Sequence, residues 1–273
     1  MQASFQWKAP EGTLGTIVRE AEARVAILER SRAELEALAE ETLPGASLER
    51  ALRTSSVALL AEVKRRSPSK GAIGESLDAL AQARAYAEGG AAGLSILTEP
   101  AHFGGSVDDL RQVAETLALP VVKKDFHIAP IQLLEARALG ASAALLIVRA
   151  LAPAHLDALT AYGRALGLEM IVEVRDEAEL RRAVAAGATM IGVNNRDLET
   201  LVIDPGTAER LIPLMPADVV AIAESGVGSR ADVERYAACG ADAVLVGSLL
   251  SSAADPAGAA RALVGVPRRT RDR

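Results

Sequence analysis

The sequence predicts an α/β fold, a (β/α)8 TIM barrel with an N-terminal helical extension, and three observations carry that prediction. From residue 57 onward, eight short apolar runs alternate with segments of helical periodicity. Half of the residues are hydrophobic (50%) and only 3% are aromatic, so the core must be built from Ala, Val, Leu and Ile. That diet suits parallel strands buried on both faces beneath Ala-rich helices. Finally, a Gly-Ala pair precedes four of the runs, at Gly90-Ala91, Gly140-Ala141, Gly187-Ala188 and Gly240-Ala241, and marks a repeated helix-to-strand turn. A closed barrel accommodates eight such units in one domain. An open doubly wound sheet is the alternative, but no G-x-G-x-x-G follows the first run.

The elements follow in order. Strand 1 spans 57–63, and its helix, 79–88, stops at Gly89. Strand 2 at 93–98 leads to a helix at 107–117, capped by Ser106. Strand 3 at 120–125 precedes a helix at 131–139 that ends at Gly140, and strand 4 at 143–148 precedes one at 156–166 that ends at Gly167. Strands 5 and 6, at 169–174 and 190–194, are followed by helices at 177–185 and 207–214. Strand 7 at 219–224 leads to a helix at 230–238 with Ser229 as its cap, and strand 8 at 243–247 to a last helix at 256–264. Residues 1–52 form an extension expected to pack on the barrel of residues 53–266, and 267–273 read as a basic, frayed tail without function. Within the extension, the charged stretch 13–42 reads as a solvated helix laid across one barrel end, with a role in covering the substrate as the alternative.

Composition limits the function. Charged residues are 24% of the chain and the formal charge is −6, which argues against nucleic acid or an anionic membrane as the partner. Cys239 is the only cysteine, so no disulfide framework or cysteine-built metal centre is expected. No signal pattern and no membrane-length apolar run is present, and a soluble cytoplasmic protein is the expectation. His102, His127 and His155 show no metal-ligand spacing with one another or with Cys239 and read as surface or loop histidines. His127, just behind Phe126, is set apart as a residue that could line the barrel mouth.

Active sites of such barrels are built at the C-terminal strand ends. Here those ends carry ionisable groups, which are costly inside apolar strands unless paired or used. Glu62 and Lys64 share one face of strand 1, and Lys124 and Phe126 share one face of strand 3. If those faces look inward, they converge with Glu173, Asn194 and Glu224; a purely structural network of Glu–Lys pairs is the other reading. After strands 7 and 8 come Ser225-Gly226-Val227-Gly228 and Gly247-Ser248, where glycine lets the backbone approach an anion and serine adds a hydroxyl. Lys64 and Ser67 lie next to strand 8 around a closed barrel and could complete a phosphate site.

At these residues the chain resembles the indole-3-glycerol-phosphate synthase family. The phrases are EVKRRSPSKG (62–71), SILTEPAHFGGS (95–106), KDF (124–126), VEV (172–174), IGVNNRDL (191–198), AESGV (223–227) and VGS (246–248), in the family's order. The resemblance implies a carbon–carbon lyase of tryptophan biosynthesis that closes, decarboxylates and dehydrates 1-(2-carboxyphenylamino)-1-deoxyribulose 5-phosphate, with no metal or organic cofactor. It implies Lys124 as general acid with Asp125 as an orienting carboxylate behind it, and Glu173 as a carboxylate that shuttles a proton with Lys124. Lys64, paired with Glu62, would hold the anionic substrate and assist dehydration, and Glu224 would polarise or remove a proton. Asn194 would bind sugar hydroxyls, Arg196 and Ser225 would position the substrate, and Phe126 would pack on its ring. Ser67, Gly226, Gly247 and Ser248 would grip the phosphate.

The chain departs from the family pattern after KDF, where it reads His127-Ile128-Ala129-Pro130-Ile131-Gln132, and at Arg66. Phosphoribosylanthranilate isomerase, a Schiff-base aldolase barrel and a non-catalytic phosphosugar-binding barrel are the rival readings. The first would rely on a cysteine and an aspartate as acid and base, whereas Cys239 falls in a predicted helix away from the strand ends. Association with other tryptophan-pathway enzymes stays open.

Overall fold

The computed structural model describes residues 7–69, 71–74 and 76–271. Residues 1–6 of the extension, Lys70 of the first-strand phrase and the last two tail residues lie outside this set. Eight parallel strands close into a barrel: β1 (Ala58–Val63), β2 (Gly93–Leu97), β3 (Val121–Lys124), β4 (Ala143–Ile147), β5 (Glu169–Val174), β6 (Met190–Asn194), β7 (Val220–Glu224) and β8 (Ala243–Val246). Each strand pairs with its sequence neighbours, and β8 pairs with β1 in the register Ala58↔Ala243 to Ala61↔Val246. All eight expected strands are present, and every end agrees within a residue. The doubly wound alternative is thereby excluded.

The helices are α1 (Gly12–Leu28), α2 (Arg32–Glu41) and α3 (Leu48–Leu52) before the barrel. Within it come α4 (Ala79–Glu88), α5 (Pro100–Phe103), α6 (Val107–Thr116), α7 (Pro130–Ala138), α8 (Pro153–Ala165), α9 (Glu177–Ala185), α10 (Gly206–Leu211), α11 (Arg230–Ala238), α12 (Ser248–Ser251) and α13 (Pro256–Arg261). The two expected serine caps form: Ser106 Oγ accepts from the Asp108 N–H and Ser229 Oγ from the Asp232 N–H. The glycines of the four Gly-Ala turns have φ of 93°, 81°, 74° and 92°, a left-handed conformation that L side chains resist. Several short elements had no counterpart in the sequence reading, among them α3, α5, α12 and the hairpin pairing Arg66–Ser67 with Gly71–Ala72, because each is shorter than the window a periodicity needs.

Leu, Val, Ile and Ala fill the space between strands and helices, with Tyr86 and Tyr236 as the largest wholly buried rings. Each fully buried Leu, Ile or Val contributes about 1.5–3 kcal/mol. The extension does more than cross one barrel end. Leu14, Ile17 and Ala21 of α1 are buried against the main core, while Ala39 of α2 packs with Ile131, Leu134 and Ala138 of α7. At the other end, Ser47 Oγ donates to Glu169 at the start of β5 (2.6 Å), and Leu48 and Leu52 of α3 close the N-terminal side. The chain therefore runs from the mouth, down the flank, to the floor.

The tail corrects an expectation. Far from fraying, residues 267–271 are pinned beneath the β7–β8–β1 seam. The Arg268 N–H donates to Ser55 O (3.1 Å), and Arg271 Nη2 donates to Asp242 Oδ2 (2.9 Å) and to the Val219 carbonyl. Arg268 is a second partner of the buried Asp242. A run of arginines looks solvated until the fold supplies a buried carboxylate.

Candidate active site

A cavity of about 380 Å³ opens at the C-terminal end of the barrel. Every candidate residue from the sequence lines it: Glu62, Lys64, Ser67, Lys124, Phe126, Glu173, Asn194, Arg196, Glu224, Ser225, Gly226, Gly247 and Ser248. At its centre the Lys124 ammonium donates to Glu173 Oε2 and to Glu224 Oε2, each at 3.1 Å. In an eight-stranded barrel β3 and β7 face one another, so Lys124 reaches across the whole mouth to meet Glu224. Asn194 Nδ2 donates to the other oxygen of Glu173 (2.9 Å), and Asn194 Oδ1 accepts from the Arg196 N–H (2.9 Å). Glu62 and Lys64 form an ion pair on β1, with Lys64 one-sixth exposed to the cavity.

Packing makes room for these charges. A Cβ on Gly192 would stand 1.9 Å from Glu224 Oε1, and one on Gly247 would stand 2.3 Å from Glu62 Oε1. Glycine at those two positions is required by the carboxylates that lie over them. Glu62 Oε1 is held by the Lys64 ammonium, whereas the buried Glu224 Oε1 accepts no hydrogen bond from the described residues and is left available to a ligand.

The electrostatics follow from burial. Burial alone would lower the Lys124 pKa, but Glu224, Glu173 and Glu62 outweigh it and hold the ammonium above its ordinary value. Burial pushes the Glu224 carboxyl up to about 7, against the opposing pull of Lys124. The site thus holds a firmly protonated cation beside a carboxyl that titrates near neutrality, a pairing suited to moving protons at pH 7.

Two expectations about neighbouring residues need correction. Asp125 does not stand behind Lys124. Its oxygens accept from Arg24 Nη2 (2.8 Å), Thr98 Oγ1 (2.7 Å) and the Phe126 N–H (2.8 Å). Burial would raise the Asp125 carboxyl, but Lys123 foremost, with Arg24 and Thr98, holds it down at about 2. His127 lies in the loop after β3, as one expectation had it, but it is buried there and does not line the mouth. It is buried on the outer side of β3, with Nδ1 2.7 Å from Leu145 O and Nε2 3.5 Å from Lys123 Nζ, and burial beside Lys123 lowers it to about 3. The reason is strand alternation: Lys124 points inward, so Lys123 and its partners point outward. His102, by contrast, is partly exposed and pairs with Glu20 at 2.8 Å.

Sequence reasoning missed several residues of the cavity wall. Thr13, Leu14 and Ile17 of α1 line it, as does Phe103 of α5, whose ring lies 6.1 Å from that of Phe126. The signal for Leu14 and Ile17 was present, since they recur with Ala21 at helical spacing inside an otherwise charged stretch. Ser251 was also missed. It supports the Glu62–Lys64 pair from below, donating to Glu62 O (3.2 Å) and accepting from the Lys64 N–H (3.1 Å).

Comparison with known proteins bears on the fold and on the family. Among solved structures, 3-hexulose-6-phosphate synthase from Salmonella typhimurium superposes with a TM-score of 0.62 at 18% identity, over 76% of this chain and 96% of that one. Thiamine phosphate pyrophosphorylase from Pyrococcus furiosus gives 0.59 at 17%, over 80% and 96%. At such identities the likeness extends to the fold alone. Sequence relatives are far nearer. Indole-3-glycerol phosphate synthase of Mycobacteroides abscessus is 50% identical over 78% of this chain and 79% of its own length. Indole-3-glycerol phosphate synthase 2 of Streptomyces coelicolor is 46% identical over 93% and 99%. The family model described as indole-3-glycerol phosphate synthase matches residues 14–263. With that match across nearly the whole barrel, the chain belongs to the indole-3-glycerol phosphate synthase family.

Proposed function

We propose that this enzyme is a carboxy-lyase that converts 1-(2-carboxyphenylamino)-1-deoxyribulose 5-phosphate to indole-3-glycerol phosphate, carbon dioxide and water. The observation that carries the reading is the Lys124 ammonium held 3.1 Å from both Glu173 and Glu224 at the centre of a cavity with otherwise apolar stretches of wall. Ring closure joins the carboxylate-bearing ring carbon to the ketone carbon, and the ketone oxygen becomes an alkoxide that needs a proton. Lys124 supplies it as general acid, stabilising the developing charge before the transfer is complete. The carboxylate then leaves as carbon dioxide, and its bonding pair returns to the ring.

Dehydration completes the indole. The hydroxyl departs with a proton while the neighbouring carbon gives one up. Glu173, bonded to Lys124, returns a proton to it, and Glu224 accepts one from carbon at a pH near its own titration. Lys64, balanced by Glu62, holds the anionic substrate and assists the departing hydroxyl. Asn194 takes the sugar hydroxyls, Arg196 and Ser225 fix the chain, and Phe126 packs on the aromatic ring. The phosphate lies against Ser67, Gly226, Gly247 and Ser248, which follow β1, β7 and β8, three neighbouring strands of the barrel. A cytoplasmic enzyme is the setting we infer, since Cys239 has no second cysteine with which to pair.

Indole fluorescence followed after mixing protein with the substrate tests this reading. Trp7, the only tryptophan, adds a constant background removed by a control without substrate. A rise that is lost in Lys124→Ala supports the reaction and its acid together; a flat trace with wild-type protein refutes the reading.

A further inference from the structure

Asn195 follows the strand-end Asn194 but points the other way. It is wholly buried behind the seam between β6 and β7, outside the cavity. Its Nδ2 lies 3.0 Å from Glu224 O, 3.0 Å from Ser225 O and 2.9 Å from Tyr236 Oη, so three acceptors share two hydrogens. Its Oδ1 accepts from the Ala208 N–H at 2.9 Å, which fixes the orientation of the amide. No other side chain among the described residues bonds the backbone of both Glu224 and Ser225.

What those bonds hold is an unusual turn. Ser225 has φ of 64° and Gly226 has φ of 84°, two successive left-handed residues, the first of which bears a side chain. The carbonyl and N–H of a trans peptide point to opposite sides of the chain. Asn195 draws the Ser225 carbonyl outward, away from the cavity. The N–H of the same peptide belongs to Gly226, and it is therefore turned toward the cavity that Gly226 lines. Among the described residues that N–H donates to no protein acceptor. An unpaired, inward-turned N–H beside Gly247 and Ser248 is a donor kept for an anion.

We infer that Asn195 is a positioning residue for anion binding: from behind the barrel wall it fixes the Ser225–Gly226 peptide so that the Gly226 N–H faces the substrate phosphate. The inference rests on the proposed placement of the phosphate at this end of the cavity. Asn195 itself touches no substrate, and its effect is exerted wholly through the backbone.

The test uses inorganic phosphate as probe, so that binding is read apart from turnover. Its dissociation constant is measured for the wild type, Asn195→Ala and Tyr236→Phe, together with KM, kcat and the melting temperature. Asn195→Ala is expected to weaken phosphate binding by ~10-fold or more, the scale of one hydrogen bond to a charged group, and to raise KM more than it lowers kcat. Tyr236→Phe removes the third partner of the same amide and leaves both carbonyls held, so it is expected to lower stability while phosphate binding stays unchanged. If Asn195→Ala does not fold, Asn195→Ser, too short to reach Ser225 O, is measured in its place with the same expected loss. Unchanged phosphate affinity in a folded Asn195 variant overturns the inference. An equal loss in Tyr236→Phe also overturns it, because the effect would then belong to packing. Failure of the wild type to bind phosphate at all would instead remove the placement on which the inference rests.

Discussion

Arg24 Nη2 lies 2.8 Å from Asp125 Oδ1, and through this contact helix α1 is tied to the end of the strand that carries Lys124. The same oxygen accepts from the Phe126 N–H, and a second arm of Arg24 reaches Glu99 at 3.4 Å. A line of alternating charge continues on the outer side of β3, where Lys123 stands 3.6 Å from Asp125 and 2.9 Å from Glu135 of α7. Helix α1 thus holds Leu14 and Ile17 against the cavity by an anchor two turns further along.

Removing that anchor leaves Asp125 with Lys123 as its remaining cation and takes the arginine from the buried Glu99. Arg24→Ala is expected to cost about 2 kcal/mol of stability, less than a fully buried pair because Arg24 is a quarter exposed. It should also raise KM as the α1 wall loosens. Urea unfolding and steady-state kinetics on the same preparation check both; an unchanged KM would show that α1 keeps its place without Arg24.

At the catalytic centre, Lys124→Ala is expected to lower turnover by ~10²-fold or more, the usual scale for loss of a general acid. Glu173→Gln should reduce kcat more than it raises KM, since the amide keeps the shape but can no longer hold or return the proton. Near-normal turnover in Lys124→Ala would assign the acid elsewhere.

A pH dependence follows from Glu179, which the proposed chemistry does not use. It is buried in the first turn of α9, where Glu179 Oε2 accepts from the Arg175 N–H at 2.8 Å. Burial, with Asp176 adding to it, pushes its carboxyl up to about 7. The folded protein therefore holds this proton more tightly than the unfolded chain does. The stabilisation is complete below the ordinary carboxylate value and is lost as pH rises through about 7. Glu179→Gln, which keeps the bond to Arg175, should gain about 3 kcal/mol on the wild type at pH 8 and little at pH 4.5. Urea unfolding at the two pH values checks the sign; an equal effect at both would remove the titration as its cause.

The tail offers a separate test of stability without function. Arg271→Ala leaves the buried Asp242 with only Arg268 as a cation and strips two carbonyls of a donor. A loss of about 3 kcal/mol is expected, which for a chain of this size lowers Tm by roughly 6–12 °C. Because these residues sit under the floor of the barrel, kcat and KM at 25 °C should hold. A fall in kcat would mean that the floor and the mouth are coupled.

Much of this was legible beforehand. The eight apolar runs and the Gly-Ala turns lead to the barrel because period and length distinguish buried parallel strands from helices without reference to partners. Alternation along each strand then places Glu62 with Lys64, and Lys124 with Phe126, on shared faces. The residues beyond reach were those whose role depends on something distant in the chain: Arg24 on Asp125, Arg271 on Asp242, Asn195 on Ser225.

By itself, then, the sequence determined the succession of strands, which side chains share a strand face and the chemical kinds at the strand ends, all of which are local or periodic properties; which of those faces looks inward was decided by closure of the barrel. Only the tertiary structure decided which charge answers which. Asp125 turned from Lys124 to Arg24, His127 turned from the surface into the wall, and the arginine tail turned from solvent to a buried carboxylate. The physical reason is shared by all three. A charged group settles where burial and an opposite charge meet, and both are properties of the folded assembly and not of any stretch of chain.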